Sequence, residues 1–417
     1  MKSAIYLYSA SLRRTLRRSV HYSTCIKVVI LFSLFTFHNS PLIAQLDVDS
    51  IVQQVERNNK SIQANKKFWD AKRSEYKTGL TPYDPVMEYD YMWGSPANAG
   101  NQKDFSITQR LDFPSAYKRK KELSVQQVAQ TELHQLVHRQ DVLLETKLYA
   151  LQVIYLNKKG AELNRRLINT QNLVNDYQKK LDKGDVIILD VNKAKLQLLN
   201  IQNDVRMNEN EKQLILTKLS ELNGGIPVTI NDTIYPAHPP IPGFETLDST
   251  IEANDPIIKV YEQEKKILER QIALQKAMNL PKIETGYHSQ GILGQSYKGI
   301  HAGISIPLWE NKNKLNATRS NLEYANFNAE THRLEHRFQN RQYYEQLDVR
   351  RKMLQEYEQL LSTLNNTTLL NKALVLGQIT IIQYFYDESF YFSAYDRYLQ
   401  AEWEYQQAVA RLYKFRL

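Results

Sequence analysis

Between Ser115 and Leu181 the chain runs 67 residues with no proline and a single glycine, Gly160. Within it Leu133, Leu136, Val137, Leu143, Leu144, Leu148, Leu151, Ile154 and Tyr155 recur mostly at spacings of three and four, which lays one apolar stripe along a helix. At 1.5 Å per residue that helix is about 100 Å long. Lys312 to Leu376 allows a second rod of about 98 Å. A compact domain does not need rods of such length, so they are expected to lie against other rods, as in a coiled coil.

The two rods belong to a duplicated unit. Glu56-Arg57-Asn58-Asn59 reappears as Glu252-Ala253-Asn254-Asp255, an offset of 196. Pro85, Glu88, Tyr91 and Phe113 match Pro281, Glu284, Tyr287 and Trp309 at the same offset, and Gly184 and Leu219 match Gly377 and Leu412 at 193. Each copy is expected to hold a helix, two strands, a very long helix and a shorter one. The first repeat spans 45–225 and the second 245–417, joined by an extended connection at 226–244 with five prolines. The opening helices fall at about Leu46–Gly79 and Glu245–Asn279, with a restart at Pro256. Glycines 184 and 377 turn the chain back into Val186–Leu222 and Thr380–Arg416.

Four segments alternate with a period of two. Met87, Tyr89, Tyr91 and Trp93 share a face opposite Glu88 and Asp90. Phe105, Ile107, Leu111 and Phe113 oppose Ser106, Thr108, Arg110 and Asp112. Ile283, Thr285 and Tyr287 alternate with Glu284, Gly286 and His288, and Ile300, Ala302, Ile304, Ile306 and Leu308 alternate with His301, Gly303 and Ser305. Each segment approaches the roughly 9–11 residues of a tilted membrane-spanning strand. Trp93, Phe113 and Trp309 at the strand ends suit aromatic girdles. Gly94–Lys103 and Gly291–Gly299 read as hairpin connections. A solvent-facing sheet packed on a helix is the alternative, because period alone does not separate the two. Four strands cannot close a barrel, and an open edge in lipid leaves backbone groups unpaired at several kcal/mol each. In a membrane, the edges must pair with other copies; three copies supply twelve strands.

Residues 1–44 read as an export signal, with a basic start (Arg13, Arg14, Arg17, Arg18, Lys27), an apolar run from Val28 to Phe37, and a cut after Ala44. A membrane anchor is the alternative, but the run is about half the ~20 residues a spanning helix needs. The segment carries six Lys or Arg and no acid, so its removal takes the net charge from +9 to +3. No basic footprint for nucleic acid remains. The lone cysteine, Cys25, also lies there, which leaves the rest without a disulfide or thiolate site.

Read together, these features resemble the outer-membrane efflux protein (TolC) family over essentially the whole chain after the leader. The resemblance is carried by Asn58-Asn59 and Asn254-Asp255-Pro256, by Leu280-Pro281-Lys282-Ile283 leading into a strand, and by Ser305-Ile306-Pro307-Leu308-Trp309 leaving one. Lys183-Gly184-Asp185-Val186, Leu376-Gly377-Gln378-Ile379 and Leu219-Ser220-Glu221-Leu222-Asn223-Gly224 complete it. The fold implied is mainly α with a membrane β-barrel portion: a long helical coiled-coil barrel plus four strands per chain, twelve in a homotrimer. The resemblance implies an outer-membrane location with a periplasmic tunnel, no nucleotide and no cofactor. It implies helix tips (Lys183, Gly184, Asp185, Leu376, Gly377, Gln378) that meet a periplasmic adaptor protein, with an inner-membrane pump driving export. It also implies a periplasmic constriction, here placed at Asp190, Gln383 and Tyr384; packing of Tyr384 and its aromatic neighbours helix on helix is the alternative.

No phosphate-binding glycine loop, nucleophile elbow or dinucleotide fingerprint is present. His332-Arg333-Leu334-Glu335-His336 fits a metalloprotease order, and His134 and His138 stand at the equivalent place, offset 198. Each pair shares a helix face and suits one metal ion, yet catalysis needs a third ligand and a pocket that a rod does not offer. A solvated helix face is the plainer expectation. The chain is therefore expected to be a channel rather than an enzyme. Efflux of small solutes, such as drugs or metal ions, competes with protein secretion through the same architecture. A periplasmic adaptor or coiled-coil scaffold is disfavoured by the duplicated hairpins and the export signal.

Overall fold

The computed structural model describes residues 48–364 and 366–417, and the export segment expected at 1–44 lies outside the described residues. The first repeat opens with α1 (Val48–Asn58) and α2 (Lys60–Glu75), followed by strands β1 (Val86–Met92) and β2 (Gln102–Leu111). Then come α3 (Pro114–Asp182) and α4 (Ile188–Leu222). The second repeat gives α5 (Phe244–Asn254), α6 (Pro256–Met278), β3 (Lys282–Ile292), β4 (Gln295–Ser305), α7 (Lys314–Thr363), α8 (Asn366–Val375) and α9 (Ile381–Leu412).

The opening helices break at equivalent residues for the same local reason. Asn59 and Asp255 both leave helical backbone (φ −62°, ψ 122° and φ −67°, ψ 122°), and each side chain caps the helix that follows, accepting from Ile62 N and Ile257 N. The single helix expected over Leu46–Gly79 is therefore two, and the restart expected at Pro256 is where α6 begins. In the first repeat Asn58 also donates to Asn223 (3.0 Å), and Asn59 donates to the Leu222 carbonyl (2.8 Å). These bonds tie the break to the end of α4. Gly224 fits there because a Cβ would lie 2.5 Å from the Asn58 carbonyl oxygen.

The first rod, α3, is unbroken over 69 residues and packs along α4, α6, α2 and α1. The second rod is not continuous. Leu364 turns to extended backbone (φ −87°, ψ 118°), ending α7 before α8 begins. The stretch Asn365-Asn366-Thr367-Thr368 contains only weak helix formers. The connection at 226–243 is extended, with Val228 and Ile230 buried, and Asn157 of α3 donates to the carbonyls of Ile230 and Asp232 at 2.9 and 3.0 Å.

The sheet is antiparallel throughout, in the order β1-β2-β3-β4. The β2–β3 pair joins the two repeats, with Ile107 opposite Tyr287 and Leu111 opposite Ile283. β1 and β4 are edges. The β1–β2 loop, 93–101, is close to the expected Gly94–Lys103, but Gln102 and Lys103 already belong to β2. The β3–β4 connection is shorter than expected. It is the two-residue turn Leu293-Gly294, both at positive φ (50° and 78°), and the strands run on to Ile292 and from Gln295. β4 also stops at Ser305, so Ile306 to Trp309 lie beyond the sheet.

Candidate channel-forming sheet and helix tips

Residues directly opposite in an antiparallel sheet share a face, so the register sorts every strand side chain. One face carries the rows Leu111–Ile283–Ile304, Gln109–Thr285–Ala302, Met87–Ile107–Tyr287–Ile300, Tyr89–Phe105–Ser289–Lys298 and Tyr91–Lys103–Gly291–Ser296. The other carries Glu88, Asp90, Asp104, Ser106, Thr108, Arg110, Glu284, His288 and His301, interrupted by Val86, Met92, Ile292 and Tyr297. Arg110 and Glu284 pair across β2–β3 at 2.9 Å on this polar face, with His301 3.7 Å from the same carboxylate.

The apolar face is bare within one chain. Ile300 is 89% exposed, and Met87, Tyr89 and Ile304 are exposed with it. In water such a face would cost roughly 25 cal/mol for each Å² left uncovered. The five rows span nine residues, or eight rises of about 27 Å in all along the strand, which is about 21 Å along the normal at a tilt of about 40°. Trp93 follows β1 at the hairpin end and is 80% exposed, edge-on to Tyr91. Phe113, immediately before α3, and Trp309, in the turn before α7, lie at the helix end, both exposed. Trp93 thus stands beyond one end of the rows, and Phe113 and Trp309 beyond the other. No described helix is long and apolar enough to cross a membrane.

The tips at the far end share one turn design. Gly184 (φ 80°) donates to the Leu181 carbonyl while Asp185 donates to that of Lys180, both at 2.9 Å. Gly377 (φ 71°) donates to the Leu374 carbonyl at 3.2 Å while Gln378 donates to that of Ala373 at 2.9 Å. Glycine ends each helix in the left-handed region and caps its carbonyls. Lys183, Asp185, Leu376 and Gln378 are exposed, beside exposed Ile187, Ile188, Leu189 and Val375.

The three constriction candidates are not alike in this chain. Asp190 is half-buried and pairs with Lys193 at 3.4 Å. Gln383 is exposed and closes the N-terminal cap of α9: its Oε1 accepts from Thr380 N at 2.9 Å, and its N–H donates to Thr380 Oγ1 at 3.3 Å. Tyr384 is 3% exposed. It packs with Val174, Tyr177, Val191, Ala194, Leu374 and Ile381, where the two hairpin tips meet. Its hydroxyl donates to Glu388 at 3.0 Å. Within one chain Tyr384 therefore does the helix-on-helix packing that the sequence left as the alternative.

Sequence reasoning missed the buried charges behind that cluster. Arg166 of α3 bonds Glu162 at 2.9 Å and Asp396 of α9 at 3.1 and 2.7 Å, with its guanidinium 4.0 Å over the Phe392 ring. Burial pushes the Glu388 carboxyl above its ordinary pKa, outweighing the Tyr384 hydrogen bond and the nearby Arg166 and Arg165. A carboxylate inside the aromatic run Phe385 to Phe392 was the available signal.

The histidines hold helices together. His134 stacks on Trp69 (4.5 Å between ring centres) and His332 on Tyr261 (4.3 Å), both against the facing shorter helix. Burial lowers the pKa of each. His138 bonds Ser61 at 2.8 Å, and His336 bonds the cap carboxylate of Asp255 at 3.2 Å. Among the described residues no three His, Cys, Asp or Glu side chains are grouped to hold a metal ion.

No family profile and no curated protein matches the chain. Solved structures do match. A membrane protein from Pseudomonas aeruginosa superposes with a TM-score of 0.71 at 14% identity, covering 88% of this chain and 92% of the other. The transmembrane channel protein CusC gives 0.69 at 15% over 88% and 91%. The CmeC outer-membrane channel of Campylobacter jejuni gives 0.67 at 14% over 88% and 85%. With its four-strand sheet, paired rods and glycine-capped tips, the chain has the fold of the TolC-like outer-membrane channels.

Proposed function

We propose that the chain is one subunit of a homotrimeric outer-membrane channel. The trimer is the passive exit duct for small solutes, drugs or metal ions, in a tripartite efflux system. One observation carries this reading: a sheet with a bare, mostly apolar face, whose five rows rise about 21 Å and hold charge only at Lys103 and Lys298 at the hairpin end, and with two unpaired edges, β1 and β4. Lipid satisfies the face. It does not satisfy the edges, because each unpaired backbone group in hydrocarbon costs several kcal/mol. Pairing β4 of one copy with β1 of the next removes both edges and turns the Glu88–Arg110–Glu284 face into a polar lumen. Three copies then give twelve strands, within the range of bacterial barrels.

The rods continue the duct into the periplasm. The exposed tips around Gly184 and Gly377 dock a periplasmic adaptor, through which an inner-membrane pump drives export. Asp190 and Gln383 narrow the entrance, with Tyr384 packed behind them. The chain itself needs no cofactor and performs no reaction.

The test is reconstitution. Purified protein should crosslink as trimers from the outer-membrane fraction and form channels in planar bilayers. Asp190→Ala with Gln383→Ala should raise single-channel conductance. Monomers in the soluble fraction would overturn the channel reading; channels whose conductance the double variant leaves unchanged would overturn only the constriction.

A further inference from the structure

The apolar face has a charged border at one end only. Its three rows nearest the helices hold no charge. The next two bring Lys298 and Lys103, opposite Ser289 and Gly291 respectively on β3. The two lysines stand on strands two apart, about 10 Å in the sheet direction, and β3 between them offers a hydroxyl and a glycine rather than bulk. Both are exposed. Lys103 lies 5.9 Å over the Tyr91 ring, beside Trp93, so it sits at the level of the aromatic border. Among the described residues neither lysine makes a salt bridge, and the acids of the sheet point to the opposite face.

A lysine in that place is not explained by the barrel. The lumen lies on the other face and the hydrocarbon disfavours the charge, which must reach for the polar layer. We propose that Lys103 and Lys298 form a seat for the phosphates of a lipid headgroup in the outer leaflet, with Tyr91 and Trp93 flanking the seat. This rests on the channel reading, which puts the hairpin end of the sheet at the outer surface. The occupant is a phosphorylated glycolipid rather than free phosphate, because the lysines border the apolar rows that its acyl chains cover.

Near a surface each lysine is worth about fivefold in attraction to an anionic lipid, so the pair should give about a thirtyfold preference. The experiment titrates the solubilised full-length assembly with bisphosphorylated lipid A and with its dephosphorylated form, counting bound lipid by native mass spectrometry. Wild type should bind the phosphorylated form about thirtyfold more tightly. K103Q/K298Q should bind both forms alike, and K103R/K298R should keep the preference. Equal binding of the two lipids by wild type, or an unchanged preference in K103Q/K298Q, overturns the proposal. Competition by inorganic phosphate at the lipid's own affinity overturns the lipid assignment. The mass of the assembly is read in the same spectrum: a monomer there sinks the channel reading, whereas an intact oligomer with no lipid preference sinks only the headgroup seat.

Discussion

Arg166 on α3 grips Asp396 on α9 with two guanidinium nitrogens, at 3.1 and 2.7 Å, and so ties a rod of the first repeat to the last helix of the second. Arg166 is 6% exposed, and its other partner, Glu162, is as deeply buried. Removing Arg166 leaves buried Glu162 to Arg165 alone and frees Asp396, which is 45% exposed, while the guanidinium's bonds to both acids and its contact with the Phe392 ring are lost. Arg166→Ala should destabilise the packing of α9 on α3 by about 3 kcal/mol. Amide exchange in α9 around Phe392 should accelerate accordingly; a change no larger than that of an exposed pair, below about 1 kcal/mol, would refute the assignment.

Glu388 gives the same region a pH dependence. Its native pKa lies above the ordinary 4.5 because it is buried. A group raised on folding contributes stability that is complete below pH 4.5 and is lost as pH rises through the native pKa. Glu388→Gln should remove that loss. Denaturant unfolding of the two proteins should therefore diverge in favour of the variant as pH rises from 4 toward neutrality, and parallel curves would count against a carboxyl whose pKa burial raises.

The two faces of β4 should tolerate charge very differently. Ile300 stands in the middle of the apolar rows, and its neighbour His301 faces the polar side near Glu284. Ile300→Arg should cost about 2–4 kcal/mol of insertion stability and reduce the amount of trimer in the outer membrane. His301→Arg should leave assembly intact. Equal yields of the two variants would mean that the faces are assigned the wrong way round.

Glycine substitutions should separate backbone strain from crowding. Gly184 and Gly377 adopt positive φ with open space around them, so Ala at either should cost about 1 kcal/mol from backbone strain alone. Gly224 also has positive φ, but a Cβ there would press on the Asn58 carbonyl oxygen at 2.5 Å. Gly224→Ala should lower the melting temperature clearly more than either tip variant.

Much of this was legible because the signals are local. A proline-free run makes α3, a capping residue followed by Pro256 starts α6, and period-two aromatics mark β1 and β2. The extent of β3 and β4 was not legible, since Gln290 to Ser296 lack apolar alternation, and a Leu-Gly turn lacks the usual Asn or Asp. The interruption at Leu364 follows from residues that are each only mildly unfavourable in a helix. The Arg166 cluster depends on residues 230 positions apart, so no local pattern reveals it. For Tyr384, the residue type suits a wet lumen and a packed seam equally, and only the fold distinguishes them.

The strand count has a further consequence. β1 leaves the rods and β4 returns to them, so β4 of one chain and β1 of the next always run in opposite directions, however many chains form the ring. In the proposed ring, hydrogen bonding in the rim would therefore accept any stoichiometry. The number of protomers would then be dictated lower down, by the wedge angle at which neighbouring rods lean together, and variants that alter rod packing, not strand pairing, are the ones that should change the ring's size.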